Sequence, residues 1–300
     1  MVLKQNLCFC YYDPLISYGT LVLNCLFPME TIPFNLYTAV VIFLIKMIII
    51  RYGEISLKGK NRSFFENKLI RNIKLSIKNN LPIKKLRNRI LIDTNEKLNL
   101  TKIFGIVNYS YADELEIDLD KIKQKSLSLL NKAKSFRITC KRLDKSIPFN
   151  SLEIEKDVGE YVFENSNAKV DLKNHEKNIQ IELFNNKAYL FTEKIKSVGG
   201  LPVGIEGNAI ALIENKDSIN AALAVMKRGC DIIPVAFKKI NIDKLKPYRI
   251  KKEVIIIKEF KEIEAIAEKY KSKVLVVNQK LNNFKKLDTN LLILRPLIAE

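Results

Sequence analysis

The sequence has little of what most catalytic and metal sites require. Only one of its 300 residues is histidine and five are cysteine. No two cysteines stand in a CxxC pair, so a zinc or dithiol site has no ligand set. The single histidine, His175, lies in the polar turn KNHEKN, and any Ser-His or Cys-His catalytic device would depend on it. We interpret His175 as a surface turn residue.

Long hydrophobic runs are also missing. Apolar stretches at 15–27 and 36–45 are shorter than the roughly 20 residues of a membrane-spanning helix, and no clear signal peptide begins the chain. Residues 1–46 carry no net charge, because two lysines offset two acidic residues. We interpret 1–46 as a leader or a mis-assigned start before Met47, and expect a cytoplasmic protein with no membrane partner. The alternative is a membrane anchor at 36–50, which a lysine interrupts.

Acidic residues are too few to balance the basic ones. The chain has 51 Lys and Arg against 33 Asp and Glu, a formal net charge of +18, all of it in 47–300. Such an excess favours polyanionic partners, because binding them releases counterions. Nucleic acid is the first expectation and an anionic membrane surface the second; a general compositional bias toward Lys, Ile and Asn is the alternative explanation.

Strand-like and helix-like patterns alternate after Met47. MIIIRYGEI predicts a strand, the basic loop SLKGKNR follows, and apolar residues at helical spacing predict a helix over 63–80. RILIDT at 89–94 and NYSYADELEI at 108–117 predict two more strands, with a short helix over 100–106 between them. This order is typical of a split βαβ unit of the ferredoxin-like kind.

A second α+β unit follows. Helices are predicted over 119–134 and over 151–165, the latter after a Ser151 N-cap, with the strand FRITCKRL between them. IQIELF and AYLFTEKI predict a hairpin that turns at 185–187. GGLPVG at 199–204 indicates a linker.

A strand-to-helix turn opens the last part of the chain. NAIAL at 208–212 is suited to a buried strand, and SINAALAVMKRG at 218–229 has the apolar spacing of a helix closed by Gly229. Chemistry at such a junction depends on the residues that fill the turn.

Four segments resemble the tRNA 4-thiouridine sulfurtransferase (ThiI) family, in the family's order. They are RYGEISLKGKNRSFFE at 51–66, FRITCKRLDKSIPFNSLEI at 136–154, KAYLFTEKI at 187–195 and GGLPVG at 199–204. The resemblance covers about 47–240 and reappears in LLILRPLI at 291–298. It implies an α/β and α+β chain with a ferredoxin-like N-terminal domain, a THUMP domain and a shortened Rossmann-like PP-loop domain of the adenine nucleotide alpha hydrolase-like kind. In that family the first two domains bind tRNA and the third activates a uridine with ATP before sulfur transfer.

The resemblance also implies domain limits. The ferredoxin-like domain is expected at 47–117, the THUMP domain at 118–197, the linker at 198–204 and the PP-loop-like domain at 205–300.

The nucleotide loop departs from the family pattern SGGxDS, of which only the final Asp and Ser are matched. Glycines serve in that loop because backbone N–H groups must approach phosphate without a Cβ in the way. A carboxylate beside the phosphates opposes binding, since like charges about 4 Å apart repel by on the order of 1 kcal/mol even in water. We therefore predict a loop that no longer binds ATP. By alignment its six places are held by Ile213, Glu214, Asn215, Lys216, Asp217 and Ser218.

Two further differences agree with this prediction. The segment 276–290 lacks the glycines of the family's second nucleotide-site segment. The family's persulfide-carrying cysteine lies beyond the position of Glu300, and we interpret Cys140 and Cys230 as buried structural cysteines. No catalytic residue, metal or cofactor is expected; ATP and magnesium are expected only if a partner chain completes the site.

The tRNA-binding half of the family pattern is retained. In FRITCKR, Arg137, Thr139 and Lys141 share one face of the predicted strand, and such a basic stripe suits a nucleic-acid backbone. Solvated lysines on a sheet edge are the alternative. The candidate phosphate contacts are Lys58, Lys60, Asn61 and Arg62 in the first loop, and Arg137, Lys141, Arg142 and Lys145 in and after the THUMP-like strand.

These observations predict a tRNA-binding protein with a degenerate and C-terminally truncated PP-loop domain, which does not itself carry out ATP-dependent uridine thiolation. The alternative is an active tRNA sulfurtransferase for 4-thiouridine synthesis, completed by a partner protein or sulfur carrier. The expected partner is tRNA; a homodimer and a partner protein that supplies the missing catalytic segment stay open.

Overall fold

The computed structural model describes residues 46–77, 80–86, 88–248 and 253–299. The predicted leader or mis-assigned start lies outside these ranges apart from Lys46, which begins the first strand. The α-helices are α1 (Arg62–Ser76), α2 (Leu119–Leu130), α3 (Ser151–Glu164), α4 (Lys216–Lys227) and α5 (Glu262–Lys269). The strands are β1 (Lys46–Arg51), β2 (Ile83–Leu86), β3 (Arg89–Asp93), β4 (Asn108–Glu116), β5 (Ser135–Arg142), β6 (Lys169–Val170), β7 (Lys177–Phe184), β8 (Lys187–Phe191), β9 (Ile195–Lys196), β10 (Asn208–Leu212), β11 (Asp231–Ala236), β12 (Ile255–Ile256), β13 (Val274–Val276) and β14 (Leu292–Leu294).

The first nine strands form one mixed sheet in the order β2-β3-β1-β4-β8-β7-β5-β6, with β9 also paired to β4. Strand β4 pairs with β1 on one side and with β8 on the other, so it joins the ferredoxin-like strands to the THUMP-like strands. Helix α1 covers one part of this sheet around Ile48 and Ile90. Helices α2 and α3 cover another part around Ile138 and Ile181.

The sheet is strongly coiled, and its face opposite these helices is concave. The order β3-β1-β4-β8-β7 puts four strand spacings between β3 and β7, which is about 19 Å in a flat sheet. Nevertheless Arg89 on β3 lies 2.9 Å from the carboxylate of Glu182 on β7. The sheet must therefore curve so that these strands approach each other across its concave face. Inside this curve a second apolar cluster is buried, which includes Ile49, Tyr189 and Phe191.

The remaining strands form a parallel sheet in the order β12-β11-β10-β13-β14. Helix α4 packs on one face, and α5 packs on the other. This is the strand order of a doubly wound Rossmann-like sheet. Strands are added on one side of β10 as far as β12, and then on its other side from β13, so the strand order reverses between β10 and β13. The mixed α/β and α+β fold class expected from the sequence is confirmed.

Local predictions differ from the structure at several places. The helices predicted over 63–80 and 119–134 end earlier, at Ser76 and Leu130. The predicted helix over 100–106 is wrong: these residues form turns, because Gly105 adopts a φ of +100° and its N–H donates to Gly199 O rather than to a helical turn. Strand β2 was not predicted, since IKKL is short and half polar. Helix α3 is capped by Asn150 rather than Ser151; the Asn150 side chain and Glu153 form a capping box.

Candidate functional site

Two short 3-10 turns, Glu54–Leu57 and Gly59–Asn61, lie between β1 and α1. The first basic segment, 58–62, contains the second of these turns and ends at Arg62, the first residue of α1. Lys60 and Asn61 are exposed. Lys58 lies with its Nζ 4.7 Å from the centre of the Phe65 ring. The structure thus leaves the polar ends of Lys60 and Asn61 facing solvent at the start of α1.

Arg62 has a structural role in this loop. Its Nε donates to Glu66 Oε1 at 2.7 Å and its Nη2 donates to Tyr52 Oη at 2.9 Å. The Tyr52 hydroxyl also donates to Glu66, and burial followed by this hydrogen bond raises the pKa of Tyr52 to about 12. Because three side chains hold one another here, Arg62 fixes the loop onto the core.

The second basic segment lies on and after β5. Phe136, Ile138 and Cys140 are buried, whereas the residues between them are partly or fully exposed, as the alternation in FRITCKR predicts. Arg137 Nη1 donates to Leu172 O at 3.2 Å, and Thr139 Oγ1 donates to Asn178 Oδ1 at 3.0 Å. Lys141 and Lys145 are exposed.

Arg142 does not face solvent in the same way as Lys141. Its Nη1 donates to the backbone carbonyls of Ile147 and Phe149, each at 2.9 Å. These bonds close the loop between β5 and α3. Of the two candidate phosphate contacts at the end of β5, Lys141 is therefore exposed, whereas Arg142 is half-buried and bonded within the protein.

Two neighbouring cavities connect the basic segments. One, of about 390 Å³, is lined by Lys60, Arg62 and Lys85; the other, of about 690 Å³, by Asn88, Lys145 and Asn185, among others. Leu86, at the end of β2, lines both cavities. Segments that are about 80 residues apart in sequence therefore meet on either side of the β2–β3 hairpin.

Further cations lie on the concave face of the nine-stranded sheet. Glu182 accepts hydrogen bonds from Arg51 Nε at 3.0 Å and from Arg89 Nε at 2.9 Å. Burial opposes ionisation of Glu182, but the hydrogen bond to Arg89 and the charge of Arg51 outweigh it and lower the pKa of Glu182. Arg51 also bonds Asn108 and Ser110, so this ion network is built into the sheet.

Lys194 and Lys141 stand beside this network. Partial burial of the ammonium and then the positive charges of Arg51 and Lys141 lower the pKa of Lys194. Sequence reasoning missed Lys85 and Lys194; the signal for Lys194 was its position in the family-like segment KAYLFTEKI, and Lys85 lies on the strand that was not predicted. We call the exposed lysines around the two cavities and the network the basic surface: Lys60, Lys85, Lys141, Lys145 and Lys194.

The loop 213–218 lies at the carboxyl end of β10 and opens α4. Asn215 is the N-cap, and its side-chain oxygen accepts from the backbone N–H groups of Asp217 and Ser218. The Ser218 hydroxyl oxygen accepts from the N–H groups of Glu214 and Asn215. Four backbone donors of the kind that cradle phosphate elsewhere are thus bonded to side chains of the loop itself.

The crevice beside this loop is bridged by side chains. Ligands of doubly wound sheets bind outside the carboxyl ends of the strands, where the strand order reverses. Here Asn278, just after β13, donates from Nδ2 to Asn215 Oδ1 at 2.9 Å. Lys280 Nζ lies 3.5 Å from Asp217 Oδ2. Both contacts join the two strands that flank the crevice.

Neither described cysteine is a reactive thiolate. Burial, followed by the negative charge of Glu155, raises the pKa of Cys140 to about 12. Burial also raises the pKa of Cys230. Both thiols therefore stay protonated at neutral pH.

The part of the chain that the structure describes contains no group of three or more His, Cys, Asp or Glu side chains arranged to hold a metal ion. Within the same ranges, no helix has both the length and the apolar composition needed to cross a bilayer.

Comparison with known proteins identifies the two N-terminal parts of the chain. Residues 47–110 match the family model of the ThiI ferredoxin-like domain, and residues 113–193 match the THUMP domain. A probable tRNA sulfurtransferase of Methanocaldococcus jannaschii is 36% identical over 254 residues, which covers 75% of this chain and 67% of the relative. The corresponding protein of Thermococcus kodakarensis is 39% identical over 207 residues, covering 63% of this chain; the chain spans only about half (54%) of that relative.

Solved structures give the same result. The crystal structure of PH1313 from Pyrococcus horikoshii has a TM-score of 0.76 and 32% identity, and the match covers 85% of this chain and 95% of that one. A 4-thiouridine synthetase solved as an RNA complex with bound ATP has a TM-score of 0.71 and 26% identity, covering 84% and 81%. Matching domains in the same order, close relatives and a shared fold together make this chain a member of the tRNA sulfurtransferase (ThiI) family.

Proposed function

We propose that this protein binds tRNA through the basic surface. The observation that carries the proposal is that two cavities, one lined by Lys60 and the other by Lys145, share the residue Leu86. Neither lysine has a carboxylate within ion-pair distance in the described part of the chain. Unneutralised cations that line a groove attract a polyanion and release its counterions.

The chemistry of the surface favours backbone contacts over base reading. Its polar groups are mainly lysine ammoniums, which act as point charges without the fixed geometry of a base-reading pair. Burial of the ammonium, and then repulsion by neighbouring cations, lowers the pKa of Lys194. A phosphate between Lys141 and Lys194 would offset that repulsion. The relative solved as an RNA complex supports RNA as the partner class.

Filter binding with unfractionated tRNA at several salt concentrations tests the proposal. Removing one lysine–phosphate interaction reduces the slope of log affinity against log salt by about 0.7–0.9, so Lys60→Ala combined with Lys145→Ala should make the slope shallower by about one to two. The matched control is Lys258→Ala with Lys261→Ala, two exposed lysines beside α5. This control removes the same charge and should leave the slope unchanged.

Two results would contradict the proposal. One is equal affinity for tRNA and for a DNA duplex of similar length. The other is the same salt slope in the Lys60/Lys145 variant and the control. Either would mean that the positive charge of the chain reflects composition alone.

We further propose that the chain does not itself catalyse ATP-dependent uridine thiolation. The support is local: the loop donors at 214, 215, 217 and 218 already have partners, and Asn278 bridges the crevice. A triphosphate would have to displace these bonds and approach the carboxylate of Glu214. Calorimetry with millimolar ATP and magnesium should therefore detect no binding. Measurable binding would instead support an active sulfurtransferase completed by a partner chain.

A further inference from the structure

A cavity of about 260 Å³ lies where the ferredoxin-like part meets the linker and the five-stranded sheet. Helix α1 contributes Lys68, Arg71, Asn72 and Leu75, which lie at the i, i+3, i+4 and i+7 spacing of one helix face. Asn72 Nδ2 donates to Val203 O at 3.1 Å, so this face is attached to the linker. The other walls come from the turn at 102–104, from 203–204, and from Asp231 and Tyr248.

The polar lining of this cavity is mainly basic. Among the described residues that line it, Lys68, Arg71 and Lys102 are basic and Asp231 is acidic, which gives these residues a net charge of +2. Within the described ranges, none of the three cations lies within ion-pair distance of a carboxylate. Three cations exceed the single charge of Asp231 and repel one another, so an anion between them would stabilise the arrangement.

Two local features allow lysine side chains to line the cavity. Gly204 adopts a φ of +76°, and a Cβ there would lie 2.9 Å from Lys68 Nζ. A side chain at this position would therefore displace the Lys68 ammonium. On another wall, Tyr248 stacks on Phe104 at 5.2 Å between ring centres, and Lys102 Nζ lies 3.4 Å from the Tyr248 hydroxyl oxygen.

The cavity is distinct from the nucleotide crevice of the five-stranded sheet. Asp231 is the first residue of β11, so the cavity lies at the amino-terminal edge of that sheet. The crevice bridged by Asn215 and Asn278 lies at the opposite, carboxyl edge. The volume of the cavity is below the range of about 300–1,000 Å³ typical of sites for drug-sized ligands, which suits a phosphate with its sugar better than a whole cofactor.

We propose that this junction cavity binds a backbone phosphate of RNA, in addition to the contacts made by the basic surface. The inference rests on the proposed RNA-binding function and extends the RNA path from the THUMP-like region across α1 to the last domain. Lys68, Arg71 and Lys102 all line the cavity and would together surround the single negative charge of this phosphate.

The test is filter binding of unfractionated tRNA to Lys68→Ala/Arg71→Ala/Lys102→Ala. Because one phosphate contact is removed, affinity at 0.1 M salt should fall by about five- to eightfold, and the salt slope should become shallower by about 0.7–0.9. The matched control is Lys258→Ala/Lys261→Ala/Lys269→Ala, on and beside α5, which packs on the other face of the sheet. The control should keep both the affinity and the slope.

The exposed pair Arg71→Gln and Lys102→Gln provides a second variant if the triple alanine variant does not fold, with an expected slope change in the same direction of up to about 0.9. Unchanged affinity and slope in folded cavity variants, with wild-type binding intact, would overturn the cavity inference alone. A wild-type chain that does not bind tRNA would remove the proposed function, and this inference with it.

Discussion

The nine-stranded sheet and the five-stranded sheet differ in whether their polar side chains are exposed or bonded within the protein. Around the first sheet, five lysines of the basic surface are exposed or line open cavities. At the carboxyl edge of the second sheet, where related folds receive ligands, asparagine, serine and lysine side chains bond one another and the backbone. In the first region the lysines are exposed to a partner, although Lys85 Nζ also donates to Ser63 and Asn67 and lies 3.9 Å from Glu66 Oε2. In the second region the loop donors are bonded internally.

This difference teaches that strand order and local side chains act separately. The strand order of the second sheet produces the position at which doubly wound sheets bind ligands. Whether backbone N–H groups are free at that position depends on only a few side chains, here Asn215 and Ser218. Substitutions made in each region separately test this difference between the two sheets.

The largest effect is expected at the ion network of the nine-stranded sheet. Glu182→Gln would leave Arg51 and Arg89 without their carboxylate in a largely buried site. Breaking a buried ion pair in this way costs about 3–5 kcal/mol of unfolding free energy. Urea denaturation would measure it, with Glu193→Gln, an exposed residue shortly after β8, as the control that stays within about 0.5 kcal/mol.

The pH dependence of unfolding provides a second measurement on Glu182. Since the folded-state pKa of Glu182 is lowered, its stabilising contribution is complete above the ordinary glutamate pKa of about 4.3 and is lost as pH falls through the lower folded value. Wild-type protein should therefore lose more stability than Glu182→Gln between neutral pH and that acid range. Parallel pH profiles would argue against the ion network.

A smaller effect separates Arg142 from Lys141. Arg142→Ala removes hydrogen bonds from a charged group to two loop carbonyls and should cost about 1–2 kcal/mol, since the side chain is partly exposed. Lys141→Ala should change stability by less than about 0.5 kcal/mol while reducing the salt slope of tRNA binding. Thermal unfolding and filter binding on both variants test this division, and equal stability of the two would contradict it.

The smallest effect is expected at the closed loop of the second sheet. Asn215→Ala removes the N-cap of α4 and should cost about 1 kcal/mol. Asn220→Ala, at an exposed position inside the same helix, is the control and should be neutral or slightly stabilising because alanine is the better helix former. If Asn215→Ala proves as neutral as Asn220→Ala, the side-chain bonds at this loop do not hold it in place.

Short-range patterns predicted much of this molecule. The alternation in FRITCKR gave the buried and exposed faces of β5 correctly, and the hairpin at Asn185 and Asn186 forms where the sequence predicts it, with both residues at a φ of +53°. Missing glycines at 214 and 215 predicted that the loop lacks a phosphate cradle. That prediction stays open to the ATP measurement.

What the sequence did not predict depends on long-range geometry. Glu182 and Arg89 are 93 residues apart and meet only because the sheet coils. Asn278 reaches Asn215 across 63 residues because β13 lies beside β10 in the sheet. The structural use of Arg142 depends on the path of the loop after β5, which no periodicity specifies.

Strand β4 also has a consequence for how the chain unfolds. Its backbone hydrogen bonds run to β1 on one edge and to β8 and β9 on the other, so neither the ferredoxin-like strands nor the THUMP-like strands can separate without breaking a ladder that belongs to both. These strands should therefore open as one cooperative unit, with the amide hydrogens of β4 among the slowest in the chain to exchange with deuterium. A fragment that begins after β4 would expose β8 as a new sheet edge and would be prone to self-association.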